Sequence, residues 1–177
     1  LDLKMHDIPN TVYNGAKALA KLGITFTTVH ALGGSQMIKS AKDGLIAGTP
    51  AGHSVPKLLA VTELTSISDD VLRNEQNCRL PMAEQVLSLA KMAKHSGADG
   101  VICSPLEVKK LHENIGDDFL YVTPGIRPAG NAKDDQSRVA TPKMAKEWGS
   151  SAIVVGRPIT LASDPKAAYE AIKKEFN

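Results

Sequence analysis

The sequence is poor in cysteine, in aromatic residues and in net charge, and each shortage excludes a class of protein. Cys78 and Cys103 have neither the spacing of a metal site nor the number for a disulfide framework, which favours a reducing cytoplasm. Aromatic residues make up 4% of the chain, too few for base-stacking platforms. The net charge of +2 gives no electrostatic reason to expect nucleic acid or an anionic membrane as a partner. No apolar run approaches the roughly 18 residues that a membrane span needs.

The chain instead alternates short runs rich in apolar and β-branched residues with longer helical segments. The runs predict strands over residues 1–4, 24–31, 58–62, 100–103, 120–123 and 152–155. The longer segments predict helices over residues 9–23, 35–45, 82–97, 105–115, 141–148 and 164–176. A turn-rich stretch surrounds residues 66–69, and residues 125–140 form a long polar loop.

This strict alternation predicts an α/β fold with a parallel sheet, and two architectures fit it. An open doubly wound sheet could be complete with six strands. A (β/α)8 TIM barrel would lack its first two β-α units. The chain opens inside a predicted strand and has no initiator methionine, which favours the barrel. We therefore expect a single domain over residues 1–177, N-terminally incomplete, with six of the eight β-α units.

Asp2 and Lys4 are the first candidate functional residues. Sites in both architectures lie at the carboxyl ends of the strands, and residues two apart on a strand face the same way. Asp7 follows at the start of the next loop. A lysine between carboxylates favours its ammonium form, and it can stabilise a developing carbanion and then donate a proton. The alternative interpretation is a surface salt bridge at a frayed terminus.

A second candidate group follows the last two predicted strands. Gly156 and Arg157 offer a backbone N–H and a guanidinium, which are typical of a phosphate site late in a β/α barrel. Arg127 opens the long loop that also contains Gln136 and Arg138. A loop of this length is commonly a lid or a binding element. Ordinary turns are the alternative interpretation.

At these residues the sequence resembles the orotidine 5′-phosphate decarboxylase family in its bacterial form. The likeness runs in order over essentially the whole chain, through residues 1–11, 61–66, 122–128 and 155–160. The resemblance implies a β/α barrel that makes UMP from orotidine 5′-monophosphate. It also implies a cytoplasmic homodimer without a metal or an organic cofactor.

The resemblance implies a role for individual residues as well. Lys4 would donate the proton to pyrimidine C6, Asp2 would lie against the departing carboxylate, and Asp7 would complete the catalytic group. Asp7 and Thr11 would reach into the neighbouring subunit's site. The 5′-phosphate would be held by Gln136, Gly156 and Arg157, and Thr65 would lie by the pyrimidine. The further substrate-binding residues would be Ile8, Pro124 and Arg127.

One departure from the family pattern keeps alternatives open. The first two strands of the family supply an aspartate that binds ribose and a second lysine, and neither strand is among these 177 residues. A non-catalytic barrel that only binds nucleotide phosphate is therefore one alternative. A magnesium-dependent sugar-phosphate decarboxylase or an aldolase-like synthase on a related barrel is another, because such enzymes share the Asp-x-Lys-x-x-Asp pattern.

Overall fold

The computed structural model describes residues 1–128 and 138–177, which form two compact units. The first unit comprises Leu1–Thr62 and Val86–Ile102, and the second comprises Glu63–Gln85 and Cys103–Asn177. The strands are β1 (Phe26–His30), β2 (Lys57–Val61), β3 (Gly100–Ile102), β4 (Leu120–Thr123) and β5 (Ala152–Ile153). The helices are α1 (Pro9–Ala20), α2 (Gly34–Gly48), α3 (Asp69–Asn74), α4 (Met82–His95), α5 (Val108–Ile115), α6 (Pro142–Glu147), α7 (Arg157–Thr160) and α8 (Pro165–Phe176).

The first unit is built on three parallel strands in the order β1-β2-β3. The register places His30 beside Val61 and Val61 beside Ile102. The last four residues of β2 are all buried, which is expected for a parallel strand that is covered on both faces. This register brings the carboxyl ends of the three strands to one edge, where functional side chains of α/β proteins collect.

In the same unit, α1 and α2 pack so closely that glycine is required at their contact. A Cβ atom at Gly44 of α2 would lie 2.4 Å from the carbonyl oxygen of Tyr13 in α1. A Cβ atom at Gly48 would lie 2.1 Å from the carbonyl oxygen of Lys17. Because backbone cannot move aside as a flexible side chain can, these two glycines set the approach of the helices.

The second unit contains the parallel pair β4 and β5, with α6 and α7 packed against α8. Tyr121 of β4 is fully buried, and its hydroxyl donates a 2.7 Å hydrogen bond to the carbonyl of Gly116. A buried tyrosine hydroxyl needs such a partner. The carboxyl end of β4 continues into a short parallel bridge, in which Ile126 is paired with Ala140.

The predicted alternation of strands and helices is confirmed, but the prediction of a strand over residues 1–4 is wrong. Only Met5 pairs there, in an isolated bridge with Val29 of β1. Lys4 has a φ of +50°, in the left-handed region, and this interrupts the extended backbone that a strand needs. The described residues therefore contain five strands instead of the six predicted.

Two short helices were also missed. The turn-rich stretch at residues 66–69 leads into α3, because the Ser68 side chain accepts a hydrogen bond from the Val71 N–H and so caps a helix. The predicted strand 152–155 ends at Ile153, and the chain then enters α7, whose first turn tolerates Pro158. The remaining boundaries differ from the prediction by a few residues.

Over the described ranges, no helix combines the length and the apolar character required to cross a bilayer.

The contact between α1 and α2 yields a test of stability. We expect Gly44→Ala to lower the free energy of unfolding by about 1–3 kcal/mol, because the new methyl group overlaps backbone. The matched control is Gly15→Ala in α1, where a Cβ atom would meet only the Met5 sulfur at 3.5 Å. Alanine favours a helix interior over glycine by up to about 1 kcal/mol, so the control should be neutral or stabilising. Equal urea-unfolding midpoints for the two variants would contradict the close approach.

Candidate active site

The Asp2–Lys4 pair predicted from the sequence forms in the first unit. The Lys4 Nζ lies 2.6 Å from the Asp2 Oδ2. Both side chains remain accessible, with 41% of Lys4 and 51% of Asp2 exposed. The pair thus presents an ammonium group and a carboxylate together on an open surface.

Thr28 of β1 holds this pair in place. Its hydroxyl accepts a 2.8 Å hydrogen bond from the Lys4 backbone N–H and donates one of 2.8 Å to the Asp2 Oδ1. Partial burial raises the pKa of Asp2, but the hydrogen bonds from Lys4 and Thr28 outweigh it and leave that pKa below its usual value. Asp2 is therefore a carboxylate at neutral pH.

The backbone around Lys4 fixes where its side chain starts. The Met5 N–H donates to the Thr28 carbonyl at 3.0 Å, and the His30 N–H donates to the Met5 carbonyl at 3.0 Å. With Met5 held beside β1, the left-handed conformation of Lys4 brings its amine back toward Asp2. The two side chains meet by this turn and not by the strand alternation that we predicted.

Asp7, Ile8 and Thr11 lie at the start of α1, and all three are exposed. The Asp7 Oδ1 accepts a 2.7 Å hydrogen bond from the Ile8 N–H, which orients the carboxylate beside the first turn. Ile8 is 67% exposed, among the most exposed large apolar side chains of the described residues. These residues are free of any role in the core of their unit.

Two histidines lie next to the charged pair. The rings of His6 and His30 are 5.4 Å apart, with an angle of 32° between their planes. Burial lowers the pKa of His30, and the nearby His6 and Lys4 lower it further against the opposing effect of Asp2. His30 is therefore a neutral ring at the edge of this group at pH 7.

In the second unit, Thr65 follows a buried carboxylate. Thr65 is 7% exposed and Glu63 is 2% exposed. The two Glu63 carboxylate oxygens accept hydrogen bonds of 3.3 Å from the side-chain amides of Gln76 and Gln85. A buried carboxylate needs such donors, and here they also fix the segment that carries Thr65.

Arg127 is also in the second unit, directly after the bridge residue Ile126. It is 8% exposed, and its Nη1 donates a 2.9 Å hydrogen bond to the Ile126 carbonyl. Pro124 lies half-buried in the same strand extension. Both predicted residues are thus fixed by the backbone that continues from β4.

Gly156 and Arg157 begin α7. The Gly156 carbonyl accepts hydrogen bonds from the N–H groups of Ile159 and Thr160, so Gly156 is the N-cap. It is exposed, and nothing lies within 4 Å of where its Cβ would be. Arg157 is half-buried. Gln136 lies outside the described residues.

Cys103 offers no nucleophile. Burial raises the pKa of its thiol to about 12, so it stays protonated and packs as a small apolar side chain. Cys103 and Cys78 are both free thiols. Within residues 1–128 and 138–177, no group of three or more His, Cys, Asp or Glu side chains is arranged to hold a metal ion.

Comparison with known proteins decides the family. The model of the orotidine 5′-phosphate decarboxylase / HUMPS family matches residues 1–172. The chain belongs to this family.

Individual members of this family match the chain along its whole length. It is 83% identical to the orotidine 5′-phosphate decarboxylase of Lactobacillus gasseri, covering 100% of this chain and 75% of that protein. The crystal structure of orotidine 5′-phosphate decarboxylase from Lactobacillus acidophilus matches with a TM-score of 0.88 and 94% identity, covering 100% of this chain and 74% of that one. The Pyrococcus horikoshii structure, with a TM-score of 0.72 at 23% identity, shares the fold. The predicted TIM-barrel class is confirmed.

Three residues that organise the groups described above were not predicted from the sequence. Thr28 was counted only as a β-branched strand residue, and Glu63 and Glu107 were not singled out at all. Their partners lie far along the chain, since Thr28 meets Asp2 across 26 positions and Glu107 meets Arg138 across 31. For Glu107 the sequence offers one signal, the Ser-x-x-Glu pattern of a capping box that begins at Ser104.

Thr28 yields a test of the electrostatics. We expect Thr28→Val to raise the pKa of Asp2, because the carboxylate loses one of the two side-chain hydrogen bonds that favour its charged form. The measurement is an NMR titration of the Asp2 carboxyl group. The matched control is Thr27→Val, since the Thr27 hydroxyl is buried with no hydrogen-bond partner in the described part of the chain. A pKa of Asp2 that is the same in both variants would remove Thr28 from this role.

Proposed function

We propose that the protein decarboxylates orotidine 5′-monophosphate to UMP, a carboxy-lyase step of pyrimidine biosynthesis. The observation that carries the proposal is the Asp2–Lys4 ion pair, with 2.6 Å between the Lys4 Nζ and the Asp2 Oδ2. It presents an ammonium proton donor beside one fixed carboxylate on an accessible surface. The family and the names of its close relatives support the same reaction.

In this mechanism Lys4 is the proton donor. The bond between C6 and the carboxylate carbon breaks, carbon dioxide leaves, and the electron pair remains on C6. The Lys4 ammonium stabilises that developing negative charge and then transfers a proton to C6. Because Thr28 and the backbone of Met5 hold the lysine, the donor needs little reorganisation as the charge forms.

Asp2 has two parts in the proposal. Its lowered pKa keeps it negative, so it remains the charged partner of the Lys4 Nζ before the reaction. As a fixed negative charge, it would also lie against the carboxylate of the substrate. Loss of carbon dioxide relieves that repulsion.

We assign the remaining predicted residues to binding. Gly156, Arg157 and Gln136 hold the 5′-phosphate. Arg127 and Pro124 lie in the adjoining loop region. Thr65 lies by the pyrimidine. The exposed Gly156 and the half-buried Arg157 guanidinium at the start of α7 support the phosphate assignment. The buried setting of Thr65 and Arg127 supports a fixed binding surface. Binding of the phosphate would help to organise the reacting centre.

We also propose a cytoplasmic homodimer that uses neither a metal nor an organic cofactor. Asp7 and Thr11 would contribute to the partner's site, and Ile8 would bind substrate. Their common exposure at the start of α1 and the 67% exposure of the apolar Ile8 support an interface there. The two free thiols agree with a reducing compartment.

The reaction is tested by incubating the protein, expressed from its complete gene, with orotidine 5′-monophosphate in the presence and absence of EDTA. We expect one UMP for each substrate consumed, at a rate that EDTA leaves unchanged. We expect Lys4→Ala to lower kcat by at least about 10²-fold while UMP still binds, because general-acid groups contribute about 10²- to 10⁴-fold. The matched control is Lys39→Ala, an exposed lysine on α2.

The alternatives give different outcomes. Loss of activity in EDTA would point to a magnesium-dependent enzyme on a related barrel. Binding of UMP without turnover by the wild-type protein would favour a non-catalytic barrel. A Lys4→Ala variant that keeps more than about a hundredth of the wild-type rate would remove Lys4 as the proton donor.

Mixed subunits test the shared site. Lys4→Ala and Asp7→Ala homodimers should each be inactive, and a random mixture should regain about one quarter of the wild-type activity. The reason is that half of the dimers are then hybrids, each with one intact site built from the unmutated residues of both subunits. The fraction of hybrids is checked by native mass spectrometry. Verified hybrids without activity would show that Asp7 serves its own subunit.

A further inference from the structure

The guanidinium of Arg138 is a buried charge in the second unit that none of the roles above uses. Its side chain is 13% exposed and forms an ion pair with Glu107. Its Nη2 donates hydrogen bonds of 3.0 Å to the Leu64 carbonyl and 3.4 Å to the Glu63 carbonyl. Burial of a charge is energetically unfavourable. A buried guanidinium in this position therefore indicates a structural or a chemical role.

Glu107 is itself held from two sides. One carboxylate oxygen, Oε1, meets Arg138, and the other, Oε2, accepts a 2.8 Å hydrogen bond from the Ser104 N–H. Ser104 and Glu107 form a reciprocal capping box at the start of the 3-10 turn Pro105–Glu107. The carboxylate is thus a fixed acceptor, and the position of the guanidinium follows from it.

The backbone of Arg138 connects to the strand extension that carries Arg127. Two residues after Arg138, Ala140 donates its N–H to the Gly125 carbonyl at 3.2 Å, and its carbonyl accepts the Arg127 N–H at 2.9 Å. At its other end, the guanidinium holds the carbonyl of Leu64, the residue directly before Thr65. One side chain therefore joins the segment of Thr65 to the segment of Arg127.

We propose that Arg138 is a positioning residue that fixes the spacing between Thr65 and Arg127. The inference rests on the proposed function, in which Thr65 lies by the pyrimidine and Arg127 lies in the region that adjoins the phosphate-binding residues. A ligand that spans both residues needs that spacing, whereas a ligand that meets only one of them does not. Arginine suits the task because its planar fork reaches a carboxylate and two carbonyls at once, which a lysine amine cannot do in the same geometry.

The charged groups around the Arg138 guanidinium offer it few further interactions. The charged and titratable groups that act on Arg138 are Glu63, Asp69 and Cys103, in addition to its partner Glu107. The Cys103 thiol is protonated and neutral, and the Glu63 carboxylate is occupied by two glutamine amides. The carbonyls of Glu63 and Leu64 are therefore the groups that Arg138 orients.

The test compares Arg138→Lys and Glu107→Gln with Arg73→Lys, a matched change at an exposed arginine on α3. We expect Arg138→Lys to lower kcat/KM for orotidine 5′-monophosphate at least tenfold, because displacements of about 1 Å in a binding site can cost 10²-fold in rate. We expect its dissociation constant for UMP to rise at least tenfold, while that for inorganic phosphate changes less than twofold. Glu107→Gln should shift the same two quantities in the same direction, and Arg73→Lys should shift neither.

Each other outcome is decisive. Unchanged kcat/KM and UMP affinity in Arg138→Lys would overturn the inference. Equal weakening of UMP and phosphate would overturn it too, because a general loss of structure or a direct phosphate contact would then explain the effect. If Arg138→Lys fails to fold, Glu107→Gln provides the same comparison. Wild-type protein that neither turns over nor binds the nucleotide would refute the proposed function itself, and the inference with it.

Discussion

The Thr28 hydroxyl supplies the constraint on which the charged pair of the first unit depends. It accepts a hydrogen bond from the Lys4 backbone and donates one to Asp2, so a single side chain on a buried strand fixes both the peptide and the carboxylate. An ion pair as exposed as Asp2 and Lys4 gains little from its own attraction, because water screens the charges and the side chains lose freedom. The order of the pair therefore comes from β1. The strand holds a lysine side chain that the attraction between the two charges could not hold by itself.

The second unit meets a different electrostatic problem, because its charges are buried. Glu63 and Glu107 are 2% and 8% exposed, and Arg138 is the cation between them. Their attraction alone would not compensate for the lost hydration, so the remaining oxygens need donors. The amides of Gln76 and Gln85 and the Ser104 N–H supply these donors. The charged groups of this network lose their hydration, and the hydrogen bonds that replace the water fix the backbone near Thr65 and Arg127.

Some of this arrangement could be predicted from the sequence. Features set by residues close together in the chain were predicted, and contacts between distant residues were not. The α/β alternation depends on local runs such as Lys57–Val61, and it was predicted correctly. Asp2 and Lys4 lie two positions apart in the sequence, and their pair was found for the same reason. The left-handed Lys4 was not predicted, since a non-glycine φ of +50° is imposed by the contacts of Met5 with β1. Thr28 with Asp2 and Arg138 with Glu107 depend on tertiary folding, which no local pattern in one sequence encodes.

At Lys4 the backbone conformation opposes stability to the catalytic role that we propose for the side chain. A lysine in the left-handed region carries strain of order 1–3 kcal/mol, which glycine would avoid. Glycine would also delete the amine that Asp2 holds. A library screened only for thermal resistance should therefore enrich glycine at position 4, whereas a screen for growth that depends on the enzyme should retain lysine. Opposite preferences in two such screens would show that the protein gives up folding free energy to keep its amine in place.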